Sequence, residues 1–105
     1  MTASLKRPAS LALDPILHQQ VRLAIASILA ARGETAFNEL REALDTSDGN
    51  LSTHLRHLDE AGYVMIDKTF AGRRPLTTVA LTPGGRAAFS RYLKHLEAVL
   101  KEAKR

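Results

Sequence analysis

Seven residues between Ser47 and His57 raise the first question about chemistry. Ser47, Gly49, Asn50, Ser52, Thr53, Arg56 and His57 are short hydrogen-bonding groups, one glycine, one imidazole and one long cation. At about 100° per residue on a helix, Gly49, Thr53 and Arg56 point away from a stripe of Leu51, Leu55 and Leu58, with Asn50, Ser52 and His57 on the flanks. A solvated helix face usually carries a Glu/Lys mixture. Here, small polar residues near a helix N-terminus let the backbone approach a partner closely, and Asn, Ser, Thr and Arg are the side chains that reach base edges. The chemistry implied is hydrogen-bond recognition, and the stretch reads as a candidate recognition helix.

A second set of cations lies downstream. Ala71-Gly72-Arg73-Arg74-Pro75 separates two β-forming runs, Tyr63 to about Phe70 and Leu76 to Leu81, with Lys68 nearby. Two such runs joined by a Gly turn make a hairpin, whose tip has no core to pack against. Paired arginines there are placed to lie on a phosphate backbone or to enter a minor groove. Their plainer role is solubility and edge protection. Coming directly after the polar helix, they extend its surface, provided that the two lie side by side.

The charge distribution bears on this in both directions. The chain of 105 residues carries a net charge of +4, a mild sign of an anionic partner. Yet residues 34–62 hold two basic and seven acidic side chains, a net −5, and the polar helix lies within them. Glu34, Glu39, Glu42 and Asp45 precede that helix, and Asp59 and Glu60 lie at its far end. Asp48, at the first helical position, compensates the helix dipole.

Other chemistries lack their parts. Without cysteine there is no disulfide framework, thiolate metal site or thiol switch. The histidines are His18, His54, His57 and His95; His54 and His57 form an i, i+3 pair without a third ligand, so no metal and no cofactor is expected. His57 reads as a phosphate contact and His54 as a partly packed or surface residue. No Gly-Lys-Ser/Thr phosphate loop, nucleophile elbow or catalytic triad is recognisable, which argues against an enzyme. No apolar run approaches the roughly 20 residues that span a bilayer, and no secretory h-region opens the chain. A cytoplasmic protein without a membrane partner is expected.

The elements that must position these groups follow from local signals. Residues 1–10, with Lys6, Arg7 and Pro8, read as a mobile basic tail, and residues 11–105 as a single domain. Asp14-Pro15 predicts a helix start leading into Ile16, Leu17 and His18. Val21 to Ala31 is a second helical run with Val21, Ile25, Ile28 and Leu29 on one face, closed by Arg32-Gly33. Thr35-Ala36-Phe37 predicts a small strand or bend, then a helix to about Leu44. Asp45-Thr46-Ser47 separates it from the polar helix, which Ser47 caps and Gly62 stops. A short helix, a tight turn and a second helix form the helix-turn-helix pattern.

Thr82-Pro83 starts a last helix to about Lys101, with Gly84 and Gly85 weakening its first turn. Its stripe of Phe89, Tyr92, Leu93, Leu96, Val99 and Leu100 is broader than one face of so small a core absorbs. A second copy of the chain is the expected sink, met also by Leu13, Ile16 and Leu17, with Leu11 beside them.

Five stretches in this order resemble the stand-alone winged-helix transcriptional regulators of the MarR/ArsR-like type. They are Leu13-Asp14-Pro15-Ile16-Leu17-His18 with Val21-Arg22-Leu23; Ser47 to Leu55; Leu58-Asp59-Glu60-Ala61-Gly62-Tyr63-Val64; Gly72-Arg73-Arg74-Pro75; and Leu81-Thr82-Pro83-Gly84-Gly85-Arg86. The resemblance implies a mainly α fold with a small β-hairpin wing, a winged helix-turn-helix dimerising through its terminal helices. It further implies a homodimeric regulator of double-stranded DNA, with helix 47–62 in the major groove and wing 68–75 on the flanking backbone or minor groove. The cysteine ligands of metal-sensing members are absent, and no residue set marks a small-molecule effector. A competing reading is a winged helix that docks protein or RNA through the acidic stretch from Glu34 to Asp48.

Overall fold

Local capping and long-range packing divide the chain between them, as its computed structural model, describing residues 7–104, makes plain. A short 3-10 helix, Ala9–Ala12, precedes α1 (Gln20–Arg32), β1 (Thr35–Ala36), α2 (Phe37–Leu44), α3 (Asp48–Glu60), β2 (Val64–Ala71), β3 (Arg74–Leu81) and α4 (Pro83–Ala103). Most of the 1–10 tail lies outside the described residues; Ala9 and Ser10, however, belong to the 3-10 helix, and the Ala9 N–H donates to Glu102 Oε2 at 2.8 Å on α4.

The helix expected from Asp14-Pro15 does not form. Asp14 closes one turn, accepting from the Ile16 N–H through Oδ1 at 2.8 Å and from the His18 N–H through its carbonyl at 2.7 Å. The Ile16 carbonyl, which a continuing helix would offer to the Gln20 N–H, accepts instead from Arg22 Nε at 2.6 Å. Asp14 is also held by the Tyr63 hydroxyl. A bond from Arg22, six residues on, thus takes the acceptor of a second turn while Tyr63 holds the first from afar, and α1 begins later, with the Gln19 side chain accepting from the Arg22 N–H. It ends where expected, at Gly33 with φ 79°.

The helix-turn-helix follows its local signals closely. Asp45 adopts a left-handed conformation, φ 49°, and its N–H closes α2 on the carbonyls of Arg41 and Glu42. The Ser47 hydroxyl accepts from the Asn50 N–H at 3.1 Å; losing such a cap costs about 1 kcal/mol. Leu51, Leu55 and Leu58 are all buried, and each stabilises the packing of α3 by about 1.5–3 kcal/mol relative to exposure. Gly62, at φ 79°, turns the chain into the hairpin.

The sheet is antiparallel in the order β1-β3-β2. In the hairpin, Val64 pairs with Leu81 and Ala71 with Arg74, leaving Gly72-Arg73 as a two-residue loop. Gly72 at φ 65° supplies the positive φ that such a loop needs at its first position. Arg74 and Pro75 thus belong to β3 rather than to the loop. β1 pairs with β3 only at Thr35–Val79 and Ala36–Thr78, so Pro75, which has no N–H, leaves no inner ladder bond unmade.

The core joins every layer: Leu17, Ile25, Leu29, Leu40, Leu51, Leu58, Val79 and Tyr92 are each at most 1% exposed. α4 meets it through Gly85, Ala88 and Tyr92. Gly85 was expected only to weaken the first turn, but it is required there: a Cβ would come within 2.0 Å of the Tyr63 carbonyl oxygen. Thr82 fixes that crossing, its N–H donating to the Tyr63 carbonyl at 3.0 Å and its hydroxyl to the Gly62 carbonyl at 2.6 Å.

Candidate nucleic-acid interface

The polar face of α3 is open along its length: Ser47, Gly49, Asn50, Ser52, Thr53, Arg56 and His57 are all exposed. Three of these carry internal bonds. Ser47 is the cap, Thr53 Oγ1 donates to the Gly49 carbonyl at 2.9 Å, and Asn50 Nδ2 donates to Thr46 Oγ1 at 2.7 Å. Among the described residues, the side chains of Ser52, Arg56 and His57 make no hydrogen bond, which leaves their donors free for a ligand.

Asp48 is not an open negative charge. Arg41 of α2 donates to its Oδ1 at 2.7 Å, and that bond, with the carboxylate's charge, raises the guanidinium pKa above its ordinary value. Arg32 pairs similarly with Glu39 at 3.1 Å. Two acidic side chains of the −5 segment are thus matched by nearby cations. Neither pair, nor the Thr46 support of Asn50, follows from helical periodicity. Arg41 reaches Asp48 across the turn between the two helices, seven residues on.

The helix and hairpin meet at a groove of about 380 Å³ whose lining includes Ser52, Arg56 and Asp59 of α3 and Ile66, Lys68 and Thr77 of the hairpin. Phe37 and Leu55 complete its lining. Ser52, Arg56 and Lys68 are therefore neighbours on one surface. Directly paired residues share a sheet face, so Lys68–Thr77 faces the groove whereas Ala71–Arg74 lies on the other face. Arg73 occupies the loop. The three basic residues expected to act together consequently present their charges in different directions around an exposed hairpin end.

Behind α3, Arg22 Nη1 lies 3.1 Å from His54 Nδ1. Partial burial, then the Arg22 charge, then His57 lower the His54 pKa below its ordinary value. His54 is a half-buried packing residue, and His57 is exposed.

Two side chains of the expected dimer surface are consumed within the chain. Leu17 and Tyr92 are each 1% exposed, and the Tyr92 hydroxyl lies 2.8 Å from His18 Nδ1. Leu13, Ile16, Phe89, Leu96 and Val99 are half-buried, while Leu93 and Leu100 stand 42% and 52% exposed. α4 therefore carries one seam toward its own core and another facing outward.

Residues 21–100, which include α3 and the hairpin, match the family described as the winged helix DNA-binding domain. The chain belongs to that family. This winged helix is 37% identical over 78 residues to an uncharacterized protein, MJ0432, of Methanocaldococcus jannaschii, covering 74% of this chain and 85% of that protein. It is also similar to a transcriptional regulator homologue from Pyrococcus horikoshii OT3, with 33% identity, a TM-score of 0.83, and coverage of 91% and 95% of the two chains. A MarR-family transcriptional regulator from Enterococcus faecalis V583 shares the fold at a TM-score of 0.68 and 22% identity over 98% and 96%. The chain thus has the winged helix-turn-helix fold of a DNA-binding domain, as the resemblance in its sequence implied. Among the described residues, no helix is long and apolar enough to cross a membrane.

Proposed function

We propose that this winged helix is a cytoplasmic, homodimeric regulator that reads a specific sequence in double-stranded DNA. α3 enters the major groove through Asn50, Ser52, Thr53 and Arg56, with Ser47, Gly49 and His57 at its margins. The hairpin lies on the flanking backbone or minor groove through Lys68, Arg73 and Arg74. The observation that carries this reading is the shared groove: the exposed donors of Ser52 and Arg56 border Lys68, midway along the hairpin. A rod of polar donors beside a basic projection matches a duplex, in which base edges lie beside phosphate rows.

The second copy is brought in by the outward seam of α4. Leu93 and Leu100 are its exposed members; Phe89 and Leu96, which pack partly against the chain's own core, complete a coiled-coil spacing with them, with Val99 alongside and half-buried Leu13 and Ile16 adjoining. A two-fold dimer presents two copies of α3 to successive major grooves about 34 Å apart, so the site is a near-palindrome.

Fluorescence anisotropy with duplexes selected from random sequence tests the reading. Affinity falls steeply with salt, and Arg73→Ala or Arg74→Ala reduces the slope by about one released counterion per lost phosphate contact. Arg56→Ala or Asn50→Ala relaxes base preference at one position by on the order of 1–3 kcal/mol. Unchanged binding by all four variants would reject duplex DNA as the ligand read by this surface.

A further inference from the structure

The most exposed aromatic ring lies where the basic hairpin reaches furthest from the core. Phe70 is 69% exposed, more than Met65 at 61% or Leu11 at 59%, and it pairs directly with exposed Pro75. Nothing in the fold explains this pair: the hairpin core ends two steps earlier, and solubility at a sheet edge favours charge over an aromatic ring.

Register fixes its direction. Val64–Leu81 and Ile66–Val79 face the core, and Lys68–Thr77 faces the groove beside α3. Phe70–Pro75 is the next pair on the same face, roughly 7 Å farther out. It is flanked by Lys68 on one side and by the Gly72-Arg73 loop on the other. A rigid apolar knob between two cations fits a minor groove, whose apolar sugar walls run between two phosphate rows.

We infer that Phe70, backed by Pro75, is an apolar wedge that enters the DNA minor groove next to the α3 site and partly unstacks one base step. The inference rests on the DNA reading above and adds a specificity element to it. A wedge favours steps that unstack readily, so the flank of each half-site is enriched in TA or CA/TG.

The test uses the full chain and its selected duplex, with 2-aminopurine replacing one flanking adenine at a time. Wild-type protein raises the fluorescence several-fold at one step in each half-site. Phe70→Ser abolishes the rise and lowers affinity about tenfold, while leaving the salt slope unchanged because no charge is removed. Phe70→Leu, which keeps an apolar wedge, retains most of both. Because Phe70 is exposed, circular dichroism and thermal midpoint stay at wild-type values in both variants. Salt-dependent wild-type binding with no rise at any step, or a Phe70→Ser variant matching wild type, would overturn the wedge and leave the DNA reading intact. Absence of duplex binding by the wild-type chain would overturn both.

Discussion

Arg41 and Asp48 bridge the corner of the helix-turn-helix, guanidinium to carboxylate at 2.7 Å. The pair ties the N-terminus of α3 to α2 and sets a cation against the acidic group of its first turn. Asp48→Asn is expected to tighten duplex binding several-fold at low salt, with a shrinking effect as salt rises. Arg41→Ala acts in the opposite direction by unmasking the carboxylate. Asp48 is 69% exposed and Arg41 33%, so solvent screens much of the pair, and thermal midpoints stay close to wild type while anisotropy titrations separate the variants.

Adjacent glycines at the start of α4 have opposite sensitivities. Gly85→Ala forces a methyl group against the Tyr63 carbonyl and is expected to destabilise the fold by about 1–3 kcal/mol in urea denaturation. At Gly84 the nearest atoms to an added Cβ are 3.7 Å away, an ordinary contact. Gly84→Ala is therefore expected to stabilise the protein by up to about 1 kcal/mol through helix propensity and a less flexible unfolded chain.

The outward seam of α4 separates assembly from folding. Leu93→Asp combined with Leu100→Asp is expected to yield a folded monomer in analytical ultracentrifugation, because both side chains are exposed within the chain. The same variant binds a single half-site as the wild-type monomer unit does, but loses the added affinity of a palindrome. Tyr92→Ala, by contrast, empties a core position and lowers stability whatever the oligomeric state.

Acidification acts through His54. Its folded pKa lies below the ordinary 6.5, because partial burial and the charges of Arg22 and His57 disfavour the imidazolium. Below pH 6.5 the unfolded chain therefore binds the proton more readily than the folded one. The stabilising contribution of neutral His54 is complete above that pH and is lost as pH falls toward the folded pKa. Thermal midpoints between pH 7.5 and 5.5 should fall more for the wild type than for His54→Gln, which keeps a polar side chain without the charge change.

The amino-acid sequence alone determined α3, the hairpin and the opening of α4. Ser47, the leucine stripe and Gly62 act within a turn or two of chain, as do Gly72 and the Thr82-Pro83 start, so neighbours in sequence suffice to define them. Tertiary structure decided what those signals leave open. Asp14-Pro15 stops after one turn because Arg22 and Tyr63 claim its acceptors, Leu17 and Tyr92 turn inward because the core reaches both, and Gly85 is required by a carbonyl from another element. The alignment of Ser52 and Arg56 with Lys68 is of the same kind. Apart from the Arg22–Ile16 bond, which spans six residues, each depends on groups distant in sequence meeting in space, and no periodicity along one segment encodes that meeting.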